Sequence, residues 1–537
     1  MELINQHTKK IMEECKMRAR DAGLSFNDET LEYIVTNRDM LELSPKTMIP
    51  TLYDYWVNDV EVLKGIGKYK LFPSNPYETV INSRPAISFY NDNNPDWLNI
   101  MIFYHVLAHI DFFQNNMFFE HTWGDDFVGQ ALADKRLIAN LRSEYGRWVD
   151  YIIEFSRGID NLVGYFSLLA KQNFPVSIQA SDRIDFYFDV FLQQVEQVPQ
   201  HEIFKEVGRY NDMQKHNPDM GDSAFFADIK KKYPEFQALF ERYKNIPKKE
   251  YNDIMEFIML HSPYLNKEEN SWMKSVISIV RDTSIYFAPQ IRTKTINEGW
   301  ASYWHDKLFR SDDRISGHES AYAKVNAGVT SISRVGLNPY AIGLRLIENI
   351  EEMADKGKIS RNFQKINDIE LRESFNKSTG NGQETIFKLR ESFTDFMLFN
   401  TYVDQDFVDR YQLFVTGRRM NQQRGTIEYY VKSRKAEDYK KMLIDSLYHP
   451  PVITIDLEKT DEDKLYLIHK FEGKQLYKPY IAETLLGIEF LWGGQVQLET
   501  HNIVKQTLGP PGSQATAYEK RKVIYTMKDR KLSSNKG

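Results

Sequence analysis

The sequence predicts a mainly α-helical N-terminal core followed by a smaller C-terminal α/β module, α+β overall. Three observations carry that expectation. To about residue 400 the apolar residues recur at three- and four-residue spacing, the period of a helix face. Beyond it, short β-branched and aromatic runs alternate with helical ones. With 42% hydrophobic and 27% charged residues in a chain of 537, there is enough apolar surface for a sizeable core.

Taken in order, MELINQHTKKIMEECKMRARDAGLSF has early acidic residues and no apolar stretch of signal-peptide length, so it reads as an amphipathic helix ending near Gly23. YETVINSRPAISFY is an extended candidate in which Pro85 argues against a central strand. LNIMIFYHVLAHIDFFQNNMFF, WVDYIIEFSRGIDNLVGYFSLLA and FQALFERYKNI read as helices, several too apolar for a surface. HNPDMGDSAFFADIKKKYPEF is polar and punctuated by Pro and Gly, a loop or insertion. Helical spacing resumes in WMKSVISIVRDTSIYF and INEGWASYWHDKLF, then in NPYAIGLRLIENIEEMADKGK, which opens at a Pro and ends near Gly357. TIEYYVKS, PPVITIDLE, KLYLIHKFEG and QVQLETH read as strands, with AEDYKKMLIDSLY and YIAETLLGIEFLW as helices between them. The expected divisions are residues 1–400, a helical core; 401–505, a mixed α/β module; and 506–537, a basic, partly disordered tail with VIYTM as a short strand.

Charge and cysteine content exclude several classes. A net charge of -6, from 69 basic and 75 acidic side chains, favours neither nucleic acid nor an anionic membrane as partner. The single Cys15 excludes an intrachain disulfide framework and a Cys-rich metal site, and fits a reducing compartment. No run approaches the roughly 18 consecutive apolar residues of a membrane span, so a cytoplasmic protein is expected. The 31 Tyr and 33 Phe read as packing residues. A nucleic-acid arm would rest on KRK and KDRK in the tail alone, and a solvated tail is the preferred reading there. No phosphate-binding glycine motif and no nucleophile elbow occurs.

The chemistry-bearing residues lie in two stretches. His105 and His109 stand four apart on a helix, one above the other, and present two imidazoles to one side. Val106 occupies the place of the glutamate in H-E-x-x-H, so no general base comes from there. The pair reads equally as buried structural histidines or as ligands. Glu298 and His305 stand seven apart, two helical turns, and also share a face. Together the four make a mixed N/O shell suited to one divalent transition metal, zinc, iron or manganese. Against this, Thr295-Ile296-Asn297-Glu298 fits a capping box, in which Glu298 reaches back to the first amide of its helix.

Several separated motifs, in order along the chain, resemble the stage V sporulation protein R (SpoVR) family. They are YETVINSRPAI, VLAHIDFFQNNMFF, YFAPQIRTKTINEGWASYWH, GLNPYAIGLRLIENIE, TGRRMNQQRGTIEYYV and LYLIHKFEGKQL with AETLLGIEFLWGGQVQLET. The resemblance implies a divergent member of a family of cytoplasmic bacterial and archaeal proteins, named for spore cortex formation and present also where no spores form. It implies a sporulation or stress-response setting, with a PrkA-type serine protein kinase and a von Willebrand A-like protein as partners, and it brings no established activity. The family pattern places histidines at His105, His109 and His305 and Asn-Glu-Gly-Trp at Asn297 to Trp300. It differs at Tyr55-Trp56, where a His-Trp pair is typical, at Thr283, typically Glu, and at Asn326, often His. Two functions are expected of such a chain. One is a metal-dependent hydrolase with His105, His109 and His305 as ligands and Glu298 as fourth ligand or general base. The alternative is a noncatalytic regulatory or scaffold protein acting with the kinase and the von Willebrand A-like partner.

Overall fold

A computed structural model describes residues 2–27, 29–36, 78–122, 126–173, 182–196, 198, 200–216, 220–244, 251–360, 363, 365–422, 425–507 and 516–536. Tyr55 and Trp56 lie outside the described residues. The chain divides into two compact units, Met1–Tyr165 with Asp253–Gly537, and Phe166–Asn252.

In the larger unit, helix α1 (Gln6–Asp21) starts on the Asn5 side chain, which accepts from the Thr8 amide, and stops before Gly23 at φ 104°. Strands β1 (Glu2–Leu3), β2 (Thr30–Val35), β3 (Glu78–Ile81) and β4 (Ala86–Asn91) form a sheet of order β1-β2-β4-β3. Pro85 sits in the turn before β4, so the interior strand keeps its ladder. Helix α2 (Asp96–Asn115) follows, and every residue from Leu98 to Phe113 is buried. A helix apolar on all sides needs neighbours all round. They include α1, α4 (Lys294–Arg310) and α7 (Gly382–Ser392). The same core takes in α6 (Pro339–Asp355), α8 (Asp395–Tyr402) and α9 (Ala436–Ser446). Helix α3 (Trp272–Arg292) leads directly into α4, and α5 (Glu319–Thr330) lies between α4 and α6 in the chain. Among the described residues no helix is long and apolar enough to cross a membrane.

Helix α4 is held on two sides. Toward α6, Gly299 and Gly343 bring the two backbones into contact: a Cβ on Gly343 would lie 2.1 Å from the Thr295 carbonyl oxygen, and one on Gly299 2.3 Å from the Gly343 carbonyl carbon. Only glycine permits this crossing. Toward α2, the indole of Trp300 donates to the fully buried carboxylate of Asp111 at 2.9 Å. Asp111 also accepts from the Ser25 amide at 2.7 Å and pairs with buried Arg390 of α7 at 3.3 Å. Burial raises the Asp111 carboxyl to about 6, against the pull of Arg390 and of the Ser25 and Trp300 N–H groups. One acidic side chain thus ties three elements to α2.

The C-terminal module is a sheet of order β11-β10-β9-β8-β7, from β7 (Val452–Ile455), β8 (Lys464–Lys470), β9 (Gln495–Thr507), β10 (Thr516–Lys528) and β11 (Lys531–Lys536). Strands β8 and β9 are parallel, joined through helix α10 (Lys478–Trp492), and the other pairs are antiparallel. Two expectations change here. Phe407, Val408, Leu413, Tyr439 and Leu443 belong to the helical core, so the separate sheet begins near residue 452 and not at 401. Residues 516–536, expected as a partly disordered tail, form two paired strands, because Val523, Tyr525 and Met527 continue the ladder against Thr500, Leu498 and Val496. Between core and sheet, β5 (Val415–Asn421) and β6 (Thr426–Ser433) make a two-stranded ribbon. Cross-strand partners Met420 and Ile427, Arg418 and Tyr429, and Thr416 and Val431 share one face. On it Met420, Ile427, Tyr429 and Val431 are exposed to 66%, 52%, 54% and 46%. The other face carries the Arg419–Glu428 ion pair.

The smaller unit packs helices Gln200–His216, Gly221–Lys232 and Phe236–Lys244 around a π-helical segment, Phe186–Val195. Its core is aromatic, with Phe186, Tyr187, Phe191, Phe225, Phe226 and Phe236 buried. The stretch expected as a loop therefore holds a helix, its Phe225, Phe226 and Ile229 anchored in that core. The long helix expected from residue 148 instead breaks at Gly158.

Three outcomes follow from these contacts. Gly164 and Asp253, the flanks of the smaller unit in the chain, are hydrogen-bonded at 3.1 Å. Replacing Phe166–Asn252 with a short Gly/Ser linker is expected to leave the larger unit folded, with cooperative unfolding by circular dichroism. Gly343→Ala is expected to destabilise the chain by at least about 1–3 kcal/mol in denaturant titration, since the obstruction is backbone. Asp111→Ala, which leaves buried Arg390 only the longer pairing with Glu391 at 3.8 Å, is expected to cost about 3–5 kcal/mol; an effect below about 1 kcal/mol would contradict the role given to Asp111.

Candidate functional site

The two histidines of α2 face α4 and are buried. Their partners come from the buried side of α4, where Ala301, small and fully buried, leaves room for the rings. His105 Nε2 and His109 Nε2 stand 3.1 Å apart. Glu298 Oε2 lies 3.9 Å from the first and 3.5 Å from the second. His105, His109 and Glu298 are the group of three whose ligand atoms converge closely enough to hold one ion. Bonds of about 2.0–2.2 Å place the ligand atoms of a tetrahedral zinc roughly 3.3–3.6 Å apart, so the three spacings bracket that geometry. Two imidazoles and one carboxylate also suit iron or manganese.

The remaining ring nitrogens face protein groups. His109 Nδ1 donates to Asn297 Oδ1 at 2.9 Å. His105 Nδ1 faces His305 Nδ1 at 2.9 Å, and His305 Nε2 donates to Asn326 Oδ1 at 3.1 Å. Burial, with the neighbouring imidazoles, holds His105 well below the usual histidine range, and burial takes His305 down to about 4. All three rings are thus brought together as the sequence spacing anticipates, but His305 reaches His105 and Asn326 with its two nitrogens and is not in the converging set. The Tyr340 ring, at the start of α6, stacks near His105 with centroids 6.3 Å apart. The Glu298 side chain is 18% exposed, but its Oε2, the atom that faces the histidines, is buried.

The capping-box alternative for Glu298 is not what forms. Helix α4 begins at Lys294, and its first-turn amides at Thr295 and Ile296, which have no partner within the helix, donate to the two carboxylate oxygens of Asp395, each at 2.8 Å. Burial raises the Asp395 carboxyl to about 7, while those amides oppose the rise. A carboxylate a hundred residues away in sequence does the capping, and Glu298 turns to the histidines. Sequence spacing missed Asp395, because a cap from another helix leaves no local pattern. It also missed Asn297 as the anchor of His109, although that residue adjoins Glu298.

Of the departures from the family pattern, Asn326 sits at the site, bonded to His305. Thr283 is buried in α3, where its hydroxyl donates to the Ile279 carbonyl at 2.7 Å.

Comparison with known proteins agrees with this arrangement of motifs. The family model described as SpoVR like protein matches residues 2–449, a span that contains every residue of the site. Among curated proteins, the chain is 23% identical over 334 residues to the uncharacterized protein YcgB of Escherichia coli (strain K12), an alignment that covers 60% of this chain and 59% of that relative. No solved structure matches the chain. With residues 2–449 of 537 matched, the chain belongs to the SpoVR-like family.

Proposed function

We propose that this chain is a cytoplasmic SpoVR-like protein of the sporulation, spore cortex-forming, or stress-response class whose helical core holds one divalent transition metal and acts as a metal-dependent hydrolase. The observation that carries this reading is the convergence of His105 Nε2, His109 Nε2 and Glu298 Oε2 within 3.1–3.9 Å of one another. Zinc, iron or manganese there would supply a Lewis acid toward a carbonyl or phosphoryl oxygen and activate water. His105 and His109 would hold the ion, and Glu298 would serve as third ligand or as the general base that takes the proton from water. Three protein donors leave coordination positions for water and substrate, the pattern of a catalytic centre and not a closed structural one.

The exposed face of the β5–β6 ribbon favours a second reading, a noncatalytic scaffold. An isolated two-stranded ribbon with Met420, Ile427, Tyr429 and Val431 open to solvent is a docking surface in search of a partner. The PrkA-type kinase and the von Willebrand A-like protein are the partners proposed.

Elemental analysis of protein purified without chelator or histidine tag separates the two. About one equivalent of zinc, iron or manganese per chain is expected, absent from a His105→Ala/His109→Ala variant of unchanged circular dichroism. Wild-type protein that takes up no metal even after reconstitution would leave the scaffold reading in possession, with native co-purification of the kinase as its own check.

A further inference from the structure

Beyond His305, the hydrogen bonds continue in one direction. Asp306 is a carboxylate, which only accepts, and Asn326 Nδ2 donates to its Oδ1 at 3.1 Å. That fixes the amide of Asn326: its nitrogen faces Asp306, so its oxygen faces outward to His305 Nε2. An amide oxygen accepts only, so Nε2 of His305 carries a hydrogen and Nδ1 of a neutral ring is left as a lone pair. The lone pair lies 2.9 Å from His105 Nδ1, which must therefore be the protonated nitrogen of its own ring. The Nε2 of His105 is then a lone pair aimed at the point where His109 and Glu298 converge. Asp306 is itself steadied, by Arg310 Nε at 2.9 Å and by the hydroxyl of Tyr322.

We infer that His305 is a positioning residue and not a metal ligand, and that the series Asp306, Asn326, His305 sets the tautomer of His105 so that it coordinates through Nε2. The assignment rests on the metal-centre reading above. It divides the histidines into two jobs: His105 and His109 touch the ion, and His305 reaches it only through His105. Metal-bound imidazoles characteristically donate their second nitrogen to an oriented acceptor, and here a third imidazole backed by an amide and a carboxylate takes that place, with the Ala301 backbone as a further hydrogen-bond partner of His105. His109 receives the simpler form of the same support, from Asn297 Oδ1.

The test uses the full chain loaded with cobalt(II), with X-ray absorption to count coordinated imidazoles and chelator competition to measure affinity. Two imidazoles are expected in the wild type. His305→Leu is expected to retain two imidazoles and one cobalt per chain at saturation, with affinity weakened roughly 10–100-fold. His105→Ala is expected to lose the cobalt. Asn326→Ala and Asp306→Ala, which leave all three imidazoles in place, are expected to weaken affinity in the same direction without changing the count, and they decide the matter if His305→Leu does not fold. Three coordinated imidazoles in the wild type, or a folded His305→Leu chain with one imidazole fewer, would overturn the assignment while leaving the metal centre standing. Unaltered affinity in Asn326→Ala and Asp306→Ala would overturn the relay. A wild-type chain that binds no cobalt removes the metal centre and this assignment with it.

Discussion

The close crossing of α4 on α6 at Gly299 and Gly343 is the constraint from which the rest of the site follows. With the Thr295 carbonyl against Gly343, the first turns of α4 cannot slide or rotate without a backbone collision. Asn297, Glu298, Ala301 and His305 lie within the next two to three turns, so their direction is set by that contact. The opposite side of α4 is fixed by Trp300 on Asp111 and by the helix start on Asp395. Tyr303, on the α6 side, adds a hydroxyl bond to the Glu351 carboxylate at 2.7 Å. A helix held at four points carries polar groups whose spacing is a property of the scaffold and not of the side chains alone.

Buried charge recurs wherever α2 and its neighbours meet. Lys16 with Glu32 at 3.1 Å joins α1 to β2, while Asp111 with Arg390 and Asp312 with Tyr104 at 2.7 Å join α2 to segments far along the chain. Arg314 extends the last of these to Glu14 at 2.8 Å and to Cys15 Sγ at 3.3 Å, and burial pushes the Cys15 thiol up to about 11, against the pull of Arg314. An all-apolar helix such as α2 packs in many registers with similar area buried. The polar contacts single out one, because every other register leaves a charge unpaired in the core.

Periodicity made much of this legible. The i, i+4 spacing of His105 and His109 and the seven-residue spacing of Glu298 and His305 each put a pair on one face, and both faces meet. Most strands and helices after residue 400 fall where alternation and helical spacing place them. What spacing could not supply was information held elsewhere in the chain. The capping of α4 by Asp395 depends on a tertiary contact, so the local capping-box pattern was misleading. The polar, Pro/Gly-rich run at 216–236 hides a helix whose Phe225 and Phe226 find partners only inside the smaller unit. Only VIYTM of strand β10 was legible as a strand, because the charged run EKRK before it reads as a solvated tail. The proposed division of roles among the three histidines is the least legible of all, since it depends on which nitrogen faces which neighbour.

The two halves of the donor set, His109 on α2 and Glu298 on α4, are 189 residues apart in the sequence. Contacts of such sequence separation cost more loop-closure entropy than the local contacts within each helix. Here part of the intervening chain is a compact unit of its own, with its flanks joined at Gly164 and Asp253. The donors are placed by helix packing, in contrast to those of a zinc finger, where metal gathers an unfolded chain. An ion arriving at this protein would meet donors already assembled by helix packing, and its uptake would mark a finished core instead of bringing one about.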